Sequence, residues 1–197
     1  MSSKEKNTRA RILHETWQLM EQRIGKTISM SDVAKAAGIS RQAVYLHFES
    51  RTDLLVATSK YVDQLKGLDD RLSLFKSATT GTQMLHASVE VWGNFMPEIY
   101  GLAKALMATR DSDEATAAVW DGNMAYLKSI CAQTITSLKQ EGKLAPEWTE
   151  EDAISVFWTM ISVNNWEQLT KECGWSNAQY IEKMQHLLMR TFVADAV

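Results

Sequence analysis

Proline and glycine are scarce in this chain, whose 197 residues include only two prolines and nine glycines. Few positions therefore interrupt regular structure, which favours long helices over many short strands. The alternation of apolar and polar residues that marks a half-buried strand is also missing. The sequence predicts an all-α protein of about nine helices.

Cysteines and long apolar runs are equally rare. The two cysteines, Cys131 and Cys173, have no CxxC or Cys/His spacing around them, so neither a metal site nor a disulfide framework is predicted. The longest stretch without a charged residue, Ala153–Trp166, is too short to span a bilayer. The first residues lack the apolar core of a signal peptide. We therefore expect a cytoplasmic protein with no membrane partner.

Catalytic signatures are missing as well. The sequence contains no GxSxG, P-loop, HExxH or GxGxxG motif, and its four histidines are scattered. Glu150, Glu151 and Asp152 form an acidic cluster, but three acids at the start of a predicted helix simply complement its dipole. We predict a protein that is not an enzyme and needs no cofactor.

The few breaks in the helical pattern divide the chain. Residues 1–8 are expected to form a disordered tail, and the first helix covers about 8–23. A later helix begins at Ser50 and reaches about residue 66, and the pattern leaves open whether it continues to Phe75. Pro97 is expected to separate two helices, because proline disfavours helix in the residue before it. The body helices are predicted over 83–95, 98–109, 113–140, 150–172 and 177–194.

Charge is distributed unevenly. The whole chain carries a net charge of −3, which by itself argues against a nucleic-acid-binding protein. Residues 1–66, however, contain 11 Lys+Arg and 7 Asp+Glu, whereas the rest contains 10 and 17. A basic N-terminal part joined to an acidic body is typical of a DNA-reading module attached to a domain with another task.

The most informative segment that is present, Ser29–Phe48, has the pattern of two short helices joined by one tight turn. Ser29 and Asp32 have the spacing of a capping box. Gly38 suits a left-handed turn that a Cβ would resist, and Ser40 caps the second helix. These features predict a helix-turn-helix. The apolar positions of its two helices are Val33, Ala34, Ala37, Val44 and Phe48.

Four side chains of the second helix lie off its apolar stripe: Arg41, Gln42, Tyr45 and His47. An arginine, an amide, a phenol and an imidazole are suited to the base edges and phosphates of DNA. The alternative is a plain α-helical hairpin, which also has a glycine turn and capped ends.

The flanking sequence favours DNA binding, because the block from Ala10 to Leu55 resembles the DNA-binding domain of the TetR family of repressors. The resemblance includes the family's hallmark Tyr45–Leu46–His47–Phe48, followed by Ser50–Arg51 where a Ser–Lys pair is usual. It covers roughly the first sixty residues, and beyond them it depends only on length and helical pattern. It implies a three-helix DNA-binding domain over 1–50 and an all-helical effector-binding and dimerisation domain over 51–197, with the helix 51–66 linking the two.

The resemblance also implies roles in DNA binding. Arg41 and Gln42 should read base edges, Tyr45 and His47 should contact phosphates, and Arg51 should clamp the DNA backbone. Two departures from the family matter: Ala43 replaces a frequent threonine and offers only a methyl contact, and Leu46 promises no polar readout. The predicted DNA-binding residues are Ser29, Ser31, Ser40, Arg41, Gln42, Ala43, Tyr45, His47 and Arg51.

Six of the seven tryptophans lie in the body, together with most of the methionines. Rings and thioethers suit an apolar pocket, and the resemblance implies a ligand cavity among these helices. The alternative for each residue is simple core packing. Polar groups such as His86 or Asn94 would orient a guest. The predicted ligand-binding residues are Trp92, Tyr100, Met107, Trp120, Met124, Trp158 and Asn165.

Ala153–Trp166 carries apolar groups on all sides of its predicted helix, and a helix of this kind must be covered on all sides. We predict that this helix and the last one form a four-helix homodimer interface with a second copy. Its predicted residues are Ile154, Ile161, Ile181, Met184 and Leu188.

Together these features predict a transcriptional repressor that leaves a palindromic double-stranded DNA operator when a small, largely apolar or aromatic effector binds. Two alternatives remain: a regulator of the same fold that has no effector, and an all-α enzyme that uses the body cavity.

Overall fold

The computed structural model of the chain describes residues 3–194. Over this range it contains ten α-helices, one π-helical segment and no strand. The helices are α1 Ser3–Gln22, α2 Met30–Ala36, α3 Arg41–Tyr45, α4 Arg51–Leu65, α5 Leu68–Lys76, α6 Gly81–Thr109, α7 Glu114–Gln140, α8 Glu150–Met160, α9 Val163–Glu167 and α10 Asn177–Phe192, with the π-helical segment at Gln168–Glu172. The all-α prediction is confirmed.

The chain forms two compact units. The first unit contains the residues up to Gly67 together with Ile99–Asn123, and the second contains Leu68–Glu98 and the residues from Met124 onward. Helices α6 and α7 therefore each contribute to both units. The predicted division at residue 50, between a DNA-binding domain and an effector-binding and dimerisation domain, is a division of function and stays a prediction.

In the first unit, α1 packs against α2 and α4 through one apolar face. Its residues Ile12, Leu13 and Met20 are at most 5% exposed. Each buried aliphatic side chain contributes about 1.5–3 kcal/mol, so this face outweighs the weak intrinsic stability of the short helices α2 and α3. The buried partners on the other helices are Val33, Ala34, Val44, Leu54, Leu55 and Val62.

In the second unit, a cluster of buried apolar side chains joins α5, α6 and α7. Close approach is possible at Gly93, where a Cβ would meet Ile181 Cγ1 at 2.5 Å. The cluster consists of Leu72, Phe75, Ala87, Val91 and Ile130, and the largest fully buried side chains elsewhere in this unit are Phe157, Trp166, Tyr180 and Phe192.

The N-terminal part of the chain departs from two expectations. Residues 3–8 belong to α1, so the prediction of a disordered tail is wrong there, and residues 1–2 lie outside the described range. Gly67, with φ +68, ends α4, and α5 follows as a separate helix.

Proline does not break the sixth helix. Pro97 lies inside α6, so the prediction of two separate helices is wrong. An internal proline costs roughly 3 kcal/mol. Buried apolar residues precede and follow it, and burying several of them outweighs that cost. These include Phe95 and Met96 before the proline and Leu102 and Leu106 after it.

The predicted helix 150–172 is instead interrupted. Helix α8 ends at Met160, and Ser162 caps α9 by accepting a hydrogen bond from the Asn165 N–H at 3.3 Å. The Asn165 side chain also donates to the Thr159 carbonyl at 2.9 Å, which satisfies the end of α8. The apolar run therefore turns at Ser162, since these caps compete with continued helix.

Candidate nucleic-acid interface

Two capped helices and a left-handed turn build the interface. Ser29 caps α2 in a complete capping box: its hydroxyl accepts from the Asp32 N–H, and the Asp32 carboxylate accepts from the Ser29 N–H. Gly38 has φ +64, and the next residue, Ile39, donates back to the Ala34 carbonyl at 3.0 Å. The turn therefore requires the glycine, as predicted.

Helix α3 begins at Ser40, whose hydroxyl accepts from the Ala43 N–H at 3.1 Å. Val44 is fully buried and Phe48 is 4% exposed, and they hold the helix against the rest of the first unit. The opposite face is therefore fixed toward solvent.

The exposed face of α3 carries an arginine and a tyrosine that contact each other. The Arg41 guanidinium lies 5.6 Å from the centroid of the Tyr45 ring and donates to the Tyr45 hydroxyl at 3.4 Å. Gln42 is exposed beside them, Ala43 and His47 are partly buried, and Leu46 is 82% exposed. The stacked pair reduces the freedom of two long side chains before any partner arrives.

Positive charge also lies along α1 and α4 of the same unit. Arg9 of α1 lies 5.0 Å over the Phe48 ring. A groove of about 580 Å³ along α1 and α4 includes Lys6, Arg9 and Lys60 against a single acid, Asp53. Such an arrangement can meet the phosphates of a nucleic acid.

The serines at the start of α2 differ in what they can offer. The Ser29 hydroxyl donates to Asp32 at 2.5 Å, so its proton is already in use. That bond, the Ser29 N–H and Arg23 together lower the pKa of Asp32 to about 2. Ser31 is exposed on the first turn. Of the two, Ser31 is better placed to donate to a phosphate.

Arg51, the first residue of α4, is engaged within the protein. Its Nε donates to the Ile28 carbonyl at 2.5 Å, and its two terminal nitrogens donate to the two carboxylate oxygens of Asp113 at 2.6 Å each. The arginine side chain is 23% exposed and the aspartate 5%. This geometry does not support the predicted phosphate clamp, because a phosphate would have to displace these bonds.

Arg51, the Ile28 carbonyl and Asp113 form what we name the Arg51 junction. Asp113, just before α7, is its acidic member. Its burial raises the pKa, but the hydrogen bonds from Arg51 and the Thr116 N–H, with the guanidinium charge, outweigh it and bring the pKa to about 2. The carboxylate is therefore charged throughout the neutral range. The sequence pointed to Arg51 only through a family motif, and it contained no signal for a partner 62 residues away.

The seven predicted ligand-binding residues are divided between the units. Tyr100, Met107 and Trp120 lie in the first, and Trp92, Met124, Trp158 and Asn165 lie in the second. Trp120 is 7% exposed, and the other six are partly buried. Since the amide of Asn165 is used to cap α8, its N–H groups are less available to a guest. His86 and Asn94 are exposed.

Two of these tryptophans already have a cation over one face. Arg110 lies 5.5 Å from the Trp120 ring centroid, and Lys128 lies 5.5 Å from that of Trp158. The indole N–H groups of Trp92 and Trp158 and the hydroxyl of Tyr180 are buried and have no hydrogen-bond partner among the described residues. A buried donor without an acceptor costs about 1–3 kcal/mol.

The predicted dimer residues fall into two classes. Ile161, Met184 and Leu188 are at most 4% exposed within their own chain, so they are core residues of the second unit. Ile154 and Ile181 are partly exposed. Only the latter two present surface to a second copy.

The described residues contain no group of three or more His, Cys, Asp or Glu side chains arranged to hold a metal ion. Within residues 3–194, no helix combines the length and the apolar character that a membrane span requires.

A segment of the first unit matches a known protein family. Residues 12–58 match the bacterial regulatory proteins of the tetR family, and this segment contains α2, α3 and the first half of α4. The recognition of the TetR family from the sequence is therefore confirmed. No relative is found among curated protein sequences.

Solved structures share the whole fold at low identity. A putative TetR-family transcriptional regulator from Rhodococcus sp. is 21% identical with a TM-score of 0.74, covering 94% of this chain and 98% of its own. A putative transcriptional regulator from Saccharomonospora viridis in complex with choline is 16% identical, with a TM-score of 0.74 and coverage of 96% and 99%. NalD from Pseudomonas aeruginosa, the secondary repressor of the MexAB-OprM multidrug efflux pump, is 18% identical, with a TM-score of 0.74 and coverage of 99% and 100%.

Proposed function

We propose that this chain, which carries the N-terminal domain of the tetR family, is a cytoplasmic transcriptional repressor released from a palindromic operator by a small, largely apolar or aromatic effector. The observation that carries the proposal is the exposed face of α3, where Arg41 stacks on Tyr45 beside Gln42 in the segment that matches the family. Arginine and glutamine side chains recognise guanine and adenine edges in the major groove.

The charge beside two of the predicted ligand-binding tryptophans, one in each unit, supports an effector that is not a cation. Aromatic rings bind quaternary ammonium groups through their faces. In this chain, Arg110 and Lys128 already lie over Trp120 and Trp158. A cationic effector would meet like charge at either ring, so a neutral or anionic aromatic molecule is favoured.

Buried donors support an effector that also accepts hydrogen bonds. The indole N–H groups of Trp92 and Trp158 have no acceptor within the described part of the chain. A carbonyl, ether or carboxylate on the effector would satisfy them, and the rings would pack against its apolar part.

A homodimer would place two copies of α3 on one face of the DNA. Palindromic half-sites lie about 34–36 Å apart, one helical turn, or a multiple of it. An effector that changes the separation of the two recognition helices by a few ångströms would end short-range base contacts, with α4 proposed as the link. The proposed dimer interface is supported by the partial exposure of Ile154 on α8 and Ile181 on α10.

Selection of binding sites from random duplex DNA by the full-length protein tests the DNA-binding proposal. We expect a palindromic sequence, bound more tightly by wild-type protein than by Arg41→Ala, and protection of both half-sites. A protein that selects no sequence would not be an operator-binding regulator.

Reciprocity tests the release mechanism. A ligand that weakens operator binding must itself bind more weakly, by the same factor, when the operator is saturating, typically by about 5–150-fold. Tryptophan fluorescence can report ligand binding, since six of seven tryptophans follow residue 66. Equal ligand affinity with and without operator would show that the two sites are uncoupled.

A further inference from the structure

The junction of Arg51 connects three separate parts of the first unit. Its guanidinium contacts the Ile28 carbonyl, just before the cap of α2, and the Asp113 carboxylate, just before α7. Arg51 is itself the first residue of α4. A single side chain therefore fixes the start of α2 and of α4 with respect to the start of α7.

The geometry requires arginine and not merely a positive charge. Nε and both terminal nitrogens each make a separate hydrogen bond, and two of these bonds run in parallel to one carboxylate. The planar guanidinium supplies such a fork, whereas a lysine ammonium acts as a point charge. Asp113 is in turn held by the Thr116 N–H at 3.3 Å.

Two further contacts hold the segment 99–123 to the same unit. Asn123 of α7 donates to the Ser59 hydroxyl of α4 at 3.1 Å. On α6, a Cβ at Gly101 would lie 2.6 Å from Glu21 Oε1 of α1, so the glycine allows the two helices to approach closely. Of these three contacts, the Arg51 junction is the one that reaches the residue just before the cap of α2.

We propose that Asp113 is a positioning residue for operator binding: it holds Arg51, and through Arg51 the Ile28 carbonyl, so that α2 and α3 are presented to DNA in one fixed orientation. Arg51 acts inside the protein and not on a phosphate. Asp113 therefore strengthens DNA binding, although its negative charge is repelled by the negative charge of DNA. This inference depends on the proposed function, since it concerns operator binding.

The test compares operator affinity and its salt dependence for full-length wild type, Arg51→Lys, Asp113→Asn and the double variant, on DNA selected by the wild type. All proteins are assayed well below their melting temperatures, with helical content checked by circular dichroism. Each single variant should lose on the order of tenfold in affinity, and the double variant no more than either single one, because the two residues act through each other. The slope of log affinity against log salt should stay unchanged, since no phosphate contact is lost.

The matched control is Asp111→Asn, which makes the same charge change two residues away. Asp111 is 91% exposed and forms an ion pair with the neighbouring Arg110. The operator affinity of Asp111→Asn should stay within about twofold of the wild-type value, because a distant surface charge is screened by salt.

Three results would overturn the positioning role. These are an unchanged affinity in Asp113→Asn, a higher affinity with a slope steeper by about one unit, or a full retention of affinity in Arg51→Lys. The second and third would assign Arg51 to a phosphate. If Asp113→Asn does not fold, Arg51→Lys keeps the charge and decides the question alone. Wild-type protein that selects no DNA sequence would overturn the proposed function, whereas specific binding with an indifferent Asp113 overturns this inference alone.

Discussion

Two arginines, ten residues apart, begin two neighbouring helices in the same local setting. Arg41 follows the cap Ser40 at the start of α3, and Arg51 follows the cap Ser50 at the start of α4. Arg41 is exposed, and within the described residues its hydrogen bond and its ring contact are both with Tyr45 of its own helix. Arg51 is held by the Ile28 carbonyl and the Asp113 carboxylate. Local sequence sets the helix start, and tertiary neighbours set the contacts that each arginine makes.

The largest expected difference between the two arginines is in stability. Arg51→Ala leaves the Asp113 carboxylate, which is 5% exposed, without its cationic partner. Removing one member of a buried ion pair typically costs about 3–5 kcal/mol of stability. Arg41→Ala removes an exposed side chain and should change stability by less than about 0.5 kcal/mol. Urea unfolding of both variants measures the contrast, and equal costs would contradict it.

The next effect is the response of the Arg51 junction to acid. The pKa of Asp113 is about 2 in the folded protein, against 3.8 as its ordinary value. A lowered pKa contributes stability above pH 3.8 that is lost as the pH falls toward 2, here about 2 kcal/mol.

Unfolding free energies of wild type and Asp113→Asn, measured between pH 5 and pH 2, check this contribution. The asparagine variant should lose less stability over that window, because it has no carboxylate to protonate at this position. Parallel curves for the two proteins would show that the Asp113 carboxylate makes no such contribution.

Arg41 should contribute more than Arg51 to the discrimination between DNA sequences. A bidentate contact to a base is worth about 1–3 kcal/mol. Arg41→Ala should therefore weaken binding to the selected operator and relax the preference at one base pair, with little change on unrelated DNA. Competition binding with single-base operator variants measures this, and equal losses on specific and unrelated DNA would assign Arg41 to phosphates.

The smallest effect should be shared by both helices. Ser40 and Ser50 accept hydrogen bonds from the backbone N–H groups of Ala43 and Asp53 at 3.1 and 3.0 Å. Replacing either serine by alanine removes one such bond, at a cost of roughly 1 kcal/mol. Thermal unfolding of the two variants should give similar shifts. A much larger shift for Ser50→Ala would mean that the cap and the Arg51 junction act as one unit.

Much of the fold could be predicted because it follows from local rules. The caps at Ser29, Ser40 and Ser50 and the turn at Gly38 are each set by residues a few positions away along the chain. The apolar spacing of α3 likewise indicates that Val44 is buried. The exposed face of α3 follows from the same periodicity. These parts of the interface, and the family, were available from the sequence.

The predictions that were wrong or incomplete concern competition between local and distant forces. Pro97 should end a helix by local rules, but apolar residues on either side are buried, and α6 continues. The apolar stretch 153–166 was predicted to lie in one helix that is apolar on all sides and partly covered by a second copy. Instead, the caps at Ser162 and Asn165 turn the chain, and Ile161 is buried within its own unit. Periodicity counts apolar residues but does not say which neighbour covers them.

The sequence by itself therefore determined the helical class, the helix-turn-helix and the exposed residues of α3, because each depends on hydrogen bonds and side-chain spacing over a few residues. Only the tertiary structure showed the contacts of Arg51. Its partner Asp113 is 62 positions away, and the choice between a phosphate and a carboxylate depends on what the folded chain brings within 3 Å of the guanidinium. Local spacing carries no information about such a contact, since folding alone places the two charges side by side.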